Sequence, residues 1–434
     1  MTCVALADVR PAFSQGAAPR SPAGGLFGAT RTDVGGSDRL NFTFELAESL
    51  DSELPADAAS QLTRGLESGG LSTLLQAGSD YTHNGRRLRL LGNASTAFRY
   101  SQNLDRVDPI SHNAFLSANL RFGNGTVRLE QAAAYSPQYL YQLFPTDTSA
   151  PLGGAIPSNP EYQIEETESY TYRTTAALSF GSQQGTLLTT SGSFDRTDFR
   201  QETRGREDSE TAQAGVEMSH RFAPSRAVSV GYDYRAGESG FVGRTEEHRL
   251  TLGAEYAPAL SRTRRATFSL RLTPERVFLP AAAFDITSEN PANLRLMRLS
   301  GEAAVRYPFR PNWRTEARYR RSVEYLSVLG QPVLSDAGRF EVGGLLARPL
   351  DVGFSGGYAT AVSALDRSGR TLQTYTGQVT IRYALKRSLA LYSEYSYYYF
   401  DLRGQAALAA LLPGVFEQHG VRLGATVFLE TLGR

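Results

Sequence analysis

From Asn41 to Leu429 the chain alternates apolar and polar residues in segment after segment. Between Arg87 and Tyr100, Leu88, Leu90, Ala94, Phe98 and Tyr100 alternate with Arg87, Arg89, Asn93, Ser95 and Arg99. His248, Leu250, Leu252, Ala254 and Tyr256 alternate with Glu247, Arg249, Thr251 and Glu255. Trp313, Ala317, Tyr319, Val323 and Tyr325 oppose Arg314, Glu316, Arg318, Arg320, Ser322 and Glu324. A period of two is that of a β-strand with one apolar and one polar face.

Seventeen connections separate eighteen such segments, and they alternate short and long. The short ones read as tight turns at His83-Asn84-Gly85, Gly123-Asn124-Gly125, Gly181 to Gly185, Ala223 to Arg226, Ser261-Arg262-Thr263, Phe309-Arg310-Pro311, Ala347-Arg348-Pro349 and Leu385 to Ser388. Between them lie longer polar segments, the largest from Leu143 to Glu166, rich in proline and glycine. Segments 55–67 and 405–412 could each hold one or two helical turns. Tight turns at one rim and longer loops at the other predict an all-β fold: a single closed antiparallel transmembrane β-barrel of about 18 strands (16–18), with short periplasmic turns and long extracellular loops.

Composition fits this reading. Mean hydropathy is −0.32 with 41% hydrophobic residues, and no run approaches the roughly 18 consecutive apolar residues of a spanning helix. A barrel keeps its apolar residues in every second position, so its mean hydropathy stays low. A soluble sandwich would also alternate, but its two sets of loops would not differ so consistently in length, and 434 residues of it would call for a domain boundary that is not seen. The 22 Tyr and 22 Phe suit membrane–water boundaries. A single cysteine, Cys3, excludes an intrachain disulfide and a thiolate metal cluster. With a net charge of +1, no bulk field points to nucleic acid.

The chain divides into residues 1–38, an N-terminal tail in which Cys3-Val4-Ala5-Leu6-Ala7 resembles a signal-peptide remnant, and the barrel over 39–434. No globular plug precedes the first strand within this sequence, which argues against a plugged, energy-coupled transporter.

With 16–18 strands a bore is too wide for side chains to fill, so it holds water. By strand parity its lining comprises Arg87, Arg89, Arg99, Arg128, Arg173, Glu217, Arg249, Glu255, Arg271, Glu302, Arg306, Arg314, Glu316, Arg318, Arg320, Glu341, Arg382, Glu394 and Arg422, a slightly cationic mixture. Tyr392 and Tyr398 share the parity of Glu394 and are candidate sugar-stacking rings, whereas Tyr395, Tyr397 and Tyr399 take the other face. No catalytic or metal-ligating constellation is found. His83, His112, His220, His248 and His419 are scattered without ligand spacing, and His220 and His248 fall on the lipid-facing parity. No cofactor is expected, and an enzyme is not. Gly343-Gly344 and Gly356-Gly357 lie within strands and are barrel bends rather than phosphate loops.

The Tyr-rich segment Leu389–Phe400, the loop to His419 and the run Gly420-Val421-Arg422-Leu423-Gly424-Ala425-Thr426-Val427-Phe428-Leu429 resemble bacterial outer-membrane β-barrel porins, and among them barrels associated with exopolysaccharide secretion loci. That resemblance implies residence in the outer membrane of a Gram-negative bacterium, contact with its lipid and its insertion machinery, and passage of polar solutes or of a polysaccharide. In the second case a periplasmic export protein is implied as partner. One departure is the tail Glu430-Thr431-Leu432-Gly433-Arg434, because such barrels usually end on an aromatic residue.

Overall fold

The computed structural model describes residues 38–51, 70–101, 106–138, 166–182, 184–200, 208–239, 243–261, 264–279, 294–310, 312–326, 331–363, 371–386, 388–401 and 415–433. They form eighteen strands: β1 (Asp38–Asp51), β2 (Gly70–Asn84), β3 (Leu88–Ser101), β4 (Arg106–Phe122), β5 (Gly125–Gln138), β6 (Glu166–Gly181), β7 (Thr186–Phe199), β8 (Ser209–Ala223) and β9 (Arg226–Ser239). The second half comprises β10 (Gly243–Tyr256), β11 (Thr267–Leu279), β12 (Leu294–Arg310), β13 (Trp313–Leu326), β14 (Gln331–Ala347), β15 (Leu350–Ser363), β16 (Thr371–Lys386), β17 (Leu389–Asp401) and β18 (Val415–Gly433). Every strand pairs antiparallel with its neighbours in sequence, and β1 also pairs with β18, from Arg39 opposite Gly433 to Asp51 opposite Gly420. The sheet is therefore closed, which removes the exposed edges that an open sheet would present.

The period of two in the sequence becomes two faces. Along β8 half-buried and exposed residues alternate without interruption. The exposed set carries the large apolar side chains: Leu252 is 48% exposed, Leu272 42% and Leu299 57%. Eighteen strands of such residues make a continuous apolar belt, which water would disfavour and lipid accepts. This is the exterior of an outer-membrane barrel.

Aromatic residues flank the belt. Towards the long loops, rings pair across strands as Tyr135 with Tyr170 at 5.2 Å, Tyr234 with His248 at 5.2 Å and Tyr358 with Tyr375 at 4.9 Å. Towards the short turns stand Phe122 with Phe180 at 5.7 Å and Phe309 with Trp313 at 5.4 Å. Trp313 donates its indole N–H to the Leu345 carbonyl at 3.0 Å, which satisfies the polar edge of a ring at a membrane boundary. All five histidines take this outer face: His83 against Asp38 at 2.6 Å, His220 against Thr186 at 2.9 Å, and His112, His248 and His419 beside tyrosine rings.

The rims correct the expected lengths. The connections at 123–124, 224–225 and 348–349 are tight, as predicted. Gly123 sits at φ 51°, a left-handed conformation that a residue with a side chain adopts at a cost. The turn expected at Ser261–Thr263 closes a pairing that runs past Tyr256 in the same register: Ala259 bridges Arg265, and the Leu260 amide donates to the Arg264 carbonyl at 2.9 Å. On the opposite rim the connections 102–105, 240–242 and 327–330 are short, so the long-loop rim is uneven. Segments 55–67 and 405–412, most of the loop 143–166 and the tail 1–37 lie outside the described residues.

Candidate functional site: the inner wall

The face opposite the apolar belt carries the charged residues. Arg89, Arg99, Arg128, Arg173, Glu217, Arg249, Glu255, Arg271, Glu302, Arg306, Arg314, Glu316, Arg318, Arg320, Glu341, Arg382, Glu394 and Arg422 all take inward positions by strand register. Arg87 lies one residue before β3, at the rim, where its carbonyl continues the β3–β4 register by accepting the Arg121 amide at 2.8 Å.

These charges are organised into clusters. On β10, Arg249 forks onto Glu247 with two hydrogen bonds of 2.7 Å, and its Nε lies 3.8 Å from Glu275 on β11. Arg235 approaches Glu247 from β9 at 3.8 Å, and the Ser300 hydroxyl of β12 donates to Glu275. Two carboxylates and two guanidiniums so interleave across three strands. Glu275 is only 5% exposed, and a carboxylate held that far from water needs opposite charge and donors around it.

A second cluster centres on Glu316 of β13, which accepts Arg306 from β12 at 3.0 Å and Arg318 at 2.9 Å, while Arg318 also lies 3.5 Å from Glu302. Along β5 to β7, Arg128 pairs with Glu130 at 2.9 Å, and Arg173 bonds Asp195. Longer reaches occur where glycine clears the wall. Arg271 of β11 comes within 3.9 Å of Glu217 of β8, with Gly253 paired to Arg271 on β10 and Gly231 paired to Glu217 on β9.

The wall is dry in one region. Ala47 of β1, Leu74 of β2 and Ala97 of β3 are buried together, and Tyr392 packs against them from β17. Its ring crosses Gly424 of β18, where an added methyl would stand 2.6 Å from the ring, and its hydroxyl donates to Glu45 of β1. Beside it Glu394 lies 3.6 Å from Arg422. Tyr398 is 8% exposed. Both tyrosines thus take the inward parity expected of them, with Tyr392 lying along the wall and Tyr398 sunk into it.

The lining named from sequence leaves out Glu45, Glu130, Asp195, Arg235, Glu275 and Arg339. Glu130, Glu275 and Arg339 share the strand and parity of Arg128, Arg271 and Glu341, so the alternation itself could have found them.

No family model matches the chain, and no curated protein does. Among solved structures it is similar to OccK8 (OprE) of Pseudomonas aeruginosa, at 10% identity and a TM-score of 0.47, over 91% of this chain and 98% of that one. OccAB4 of Acinetobacter baumannii is similar at 10% identity and 0.45, over 91% and 98%. The ferric-catecholate import receptor Fiu of E. coli K12 is similar at 8% identity and 0.43, over 89% and 81%. These likenesses are distant, and the resemblance to exopolysaccharide-associated barrels gains no support from them. The closed eighteen-strand barrel stands on its own strand pairing.

Proposed function

We propose that the protein is a passive outer-membrane channel, whose inner wall of interleaved arginine and glutamate passes small polar solutes. The observation that carries this is the exposure of guanidiniums on the enclosed face. The side chains of Arg306, Arg339 and Arg173 are 61%, 50% and 45% exposed, although they point into a closed barrel. A charged group half-exposed to an empty or apolar space would be very costly, so that space holds water. Residues on the described wall suit solvation and charge selection, and the long-loop rim faces outward from the cell.

In planar bilayers the purified barrel is expected to show persistent ionic conductance. Replacing Arg306 and Arg339 together by Glu reverses two charges that reach into the bore. Fixed charges act over a screening length of about 8–10 Å, so the reversal moves ion preference towards cations. A barrel that inserts but conducts nothing overturns the proposal.

A further inference from the structure

The lipid-facing surface carries a groove of about 560 Å³ across β10 to β13. Its floor exists because the outward residues there are small: Ala254, Ala303 and Ala317 stand where neighbouring strands carry leucine or tyrosine. Strand register explains its direction. Tyr256 pairs with Phe268, Phe268 with Val305 and Val305 with Ala317, so these four outward residues form one row across the strands. The row begins one strand earlier, because Tyr256 pairs on its other side with Arg226.

Arg226 is the first residue of β9, at the short-turn rim, whereas Ala317 is four residues inside β13. The row therefore climbs from the rim into the apolar belt. Its rim end is cationic. The Arg226 guanidinium is exposed and stands 5.7 Å over the Tyr256 ring. Arg264 shares the outward parity of Phe268, and its Nη1 donates to the Phe309 carbonyl at 2.7 Å. Among the described residues these two guanidiniums bond neutral oxygens and a ring face rather than carboxylates, unlike the paired arginines of the inner wall.

We propose that this groove is a lipid site that holds one acyl chain of an anionic glycerophospholipid, with its phosphate at Arg226 and Arg264. An apolar trough in the belt ends in cations at the level of the membrane boundary, and that is the charge and shape order of a phospholipid. Guanidiniums bind phosphate oxygens in forked geometry, and the Tyr256–Phe268 pair, stacked at 6.2 Å, forms the wall next to the headgroup. The leaflet follows from the orientation in the proposed function, in which the short-turn rim is periplasmic. Retention of lipid does not require that the channel conduct.

The test is native mass spectrometry of the full chain, purified in detergent and incubated with phosphatidylglycerol. The wild type is expected to retain one phosphatidylglycerol per barrel. Arg226→Glu with Arg264→Glu should lower the retained fraction at least fivefold by removing the headgroup contacts. Ala303→Trp should lower it as much by filling the trough, with the electrophoretic shift of the unboiled barrel intact. If Ala303→Trp does not fold, Ala317→Phe fills the same trough. Retention at the wild-type level in either kind of variant overturns the proposal. So does a species of doubled mass that is lost with Ala303→Trp, since the trough would then seat a second copy of the chain.

Discussion

At the scale of the residue, the side of the strand on which a side chain stands decides what it can be. Leu252 and Thr175 are both mid-strand, yet Leu252 is exposed in the apolar belt and Thr175 is half-buried on the inner face. An arginine at Leu252 would place a charge in hydrocarbon, at a cost of about 2–4 kcal/mol near the midplane. At Thr175 the same arginine joins a wall already built of both signs. Leu252→Arg is therefore expected to lower folding stability in lipid vesicles by that amount, while Thr175→Arg changes it by less than about 1 kcal/mol. Equal losses in urea titrations would show that the two faces are misassigned. This distinction was fully legible in the sequence, because a period of two survives whatever the register between strands. What parity alone could not supply was the partner. Parity gives Arg271 a face of its strand, but nothing local announces that it comes within 3.9 Å of Glu217, three strands away.

At the scale of the element, the junction of β17, β18 and β1 is the most closely fitted part of the wall. Tyr392 lies across Gly424, with a methyl at that glycine falling 2.6 Å from the ring and 2.8 Å from Ala47 Cβ. Gly424→Ala should cost about 1–3 kcal/mol through overpacking, read as a lower midpoint of denaturant unfolding. The cost should shrink when Tyr392 is Ser, because the methyl then occupies space the ring has left. If Gly424→Ala were equally harmful in both backgrounds, the ring would not be the cause. Here the sequence was only half legible. Strand existence came from periodicity, and turns such as 123–124 from their glycine and asparagine. The ends of elements did not: that the connections 102–105, 240–242 and 327–330 are short on the rim of the long loops depends on where paired neighbours stop, which emerged only in three dimensions.

At the scale of the whole molecule, every strand is held on both sides, and the apolar belt faces outward rather than into a core. Stability therefore rests on the closed hydrogen-bonded cylinder and on lipid or detergent around it. The purified protein is expected to give an almost wholly β circular dichroism spectrum, and to migrate on gels at a different position before and after boiling. Substantial helix, or solubility without detergent, would contradict the architecture.

Closure has a consequence in time as well as in space. The pairing of Phe42 with Leu429 and of Leu46 with Ala425 joins residues separated by nearly the full chain, so the bond that completes the cylinder has the greatest loop-closure cost and belongs to the last strand made. Until β18 docks, β1 and β17 are both open edges, each able to recruit a strand from another molecule. A chain caught at seventeen strands is thus a template for aggregation, while the same chain one strand later has no edge to offer. The interval between those two states, rather than the strength of the finished barrel, sets how much assistance the polypeptide needs on its way to the membrane.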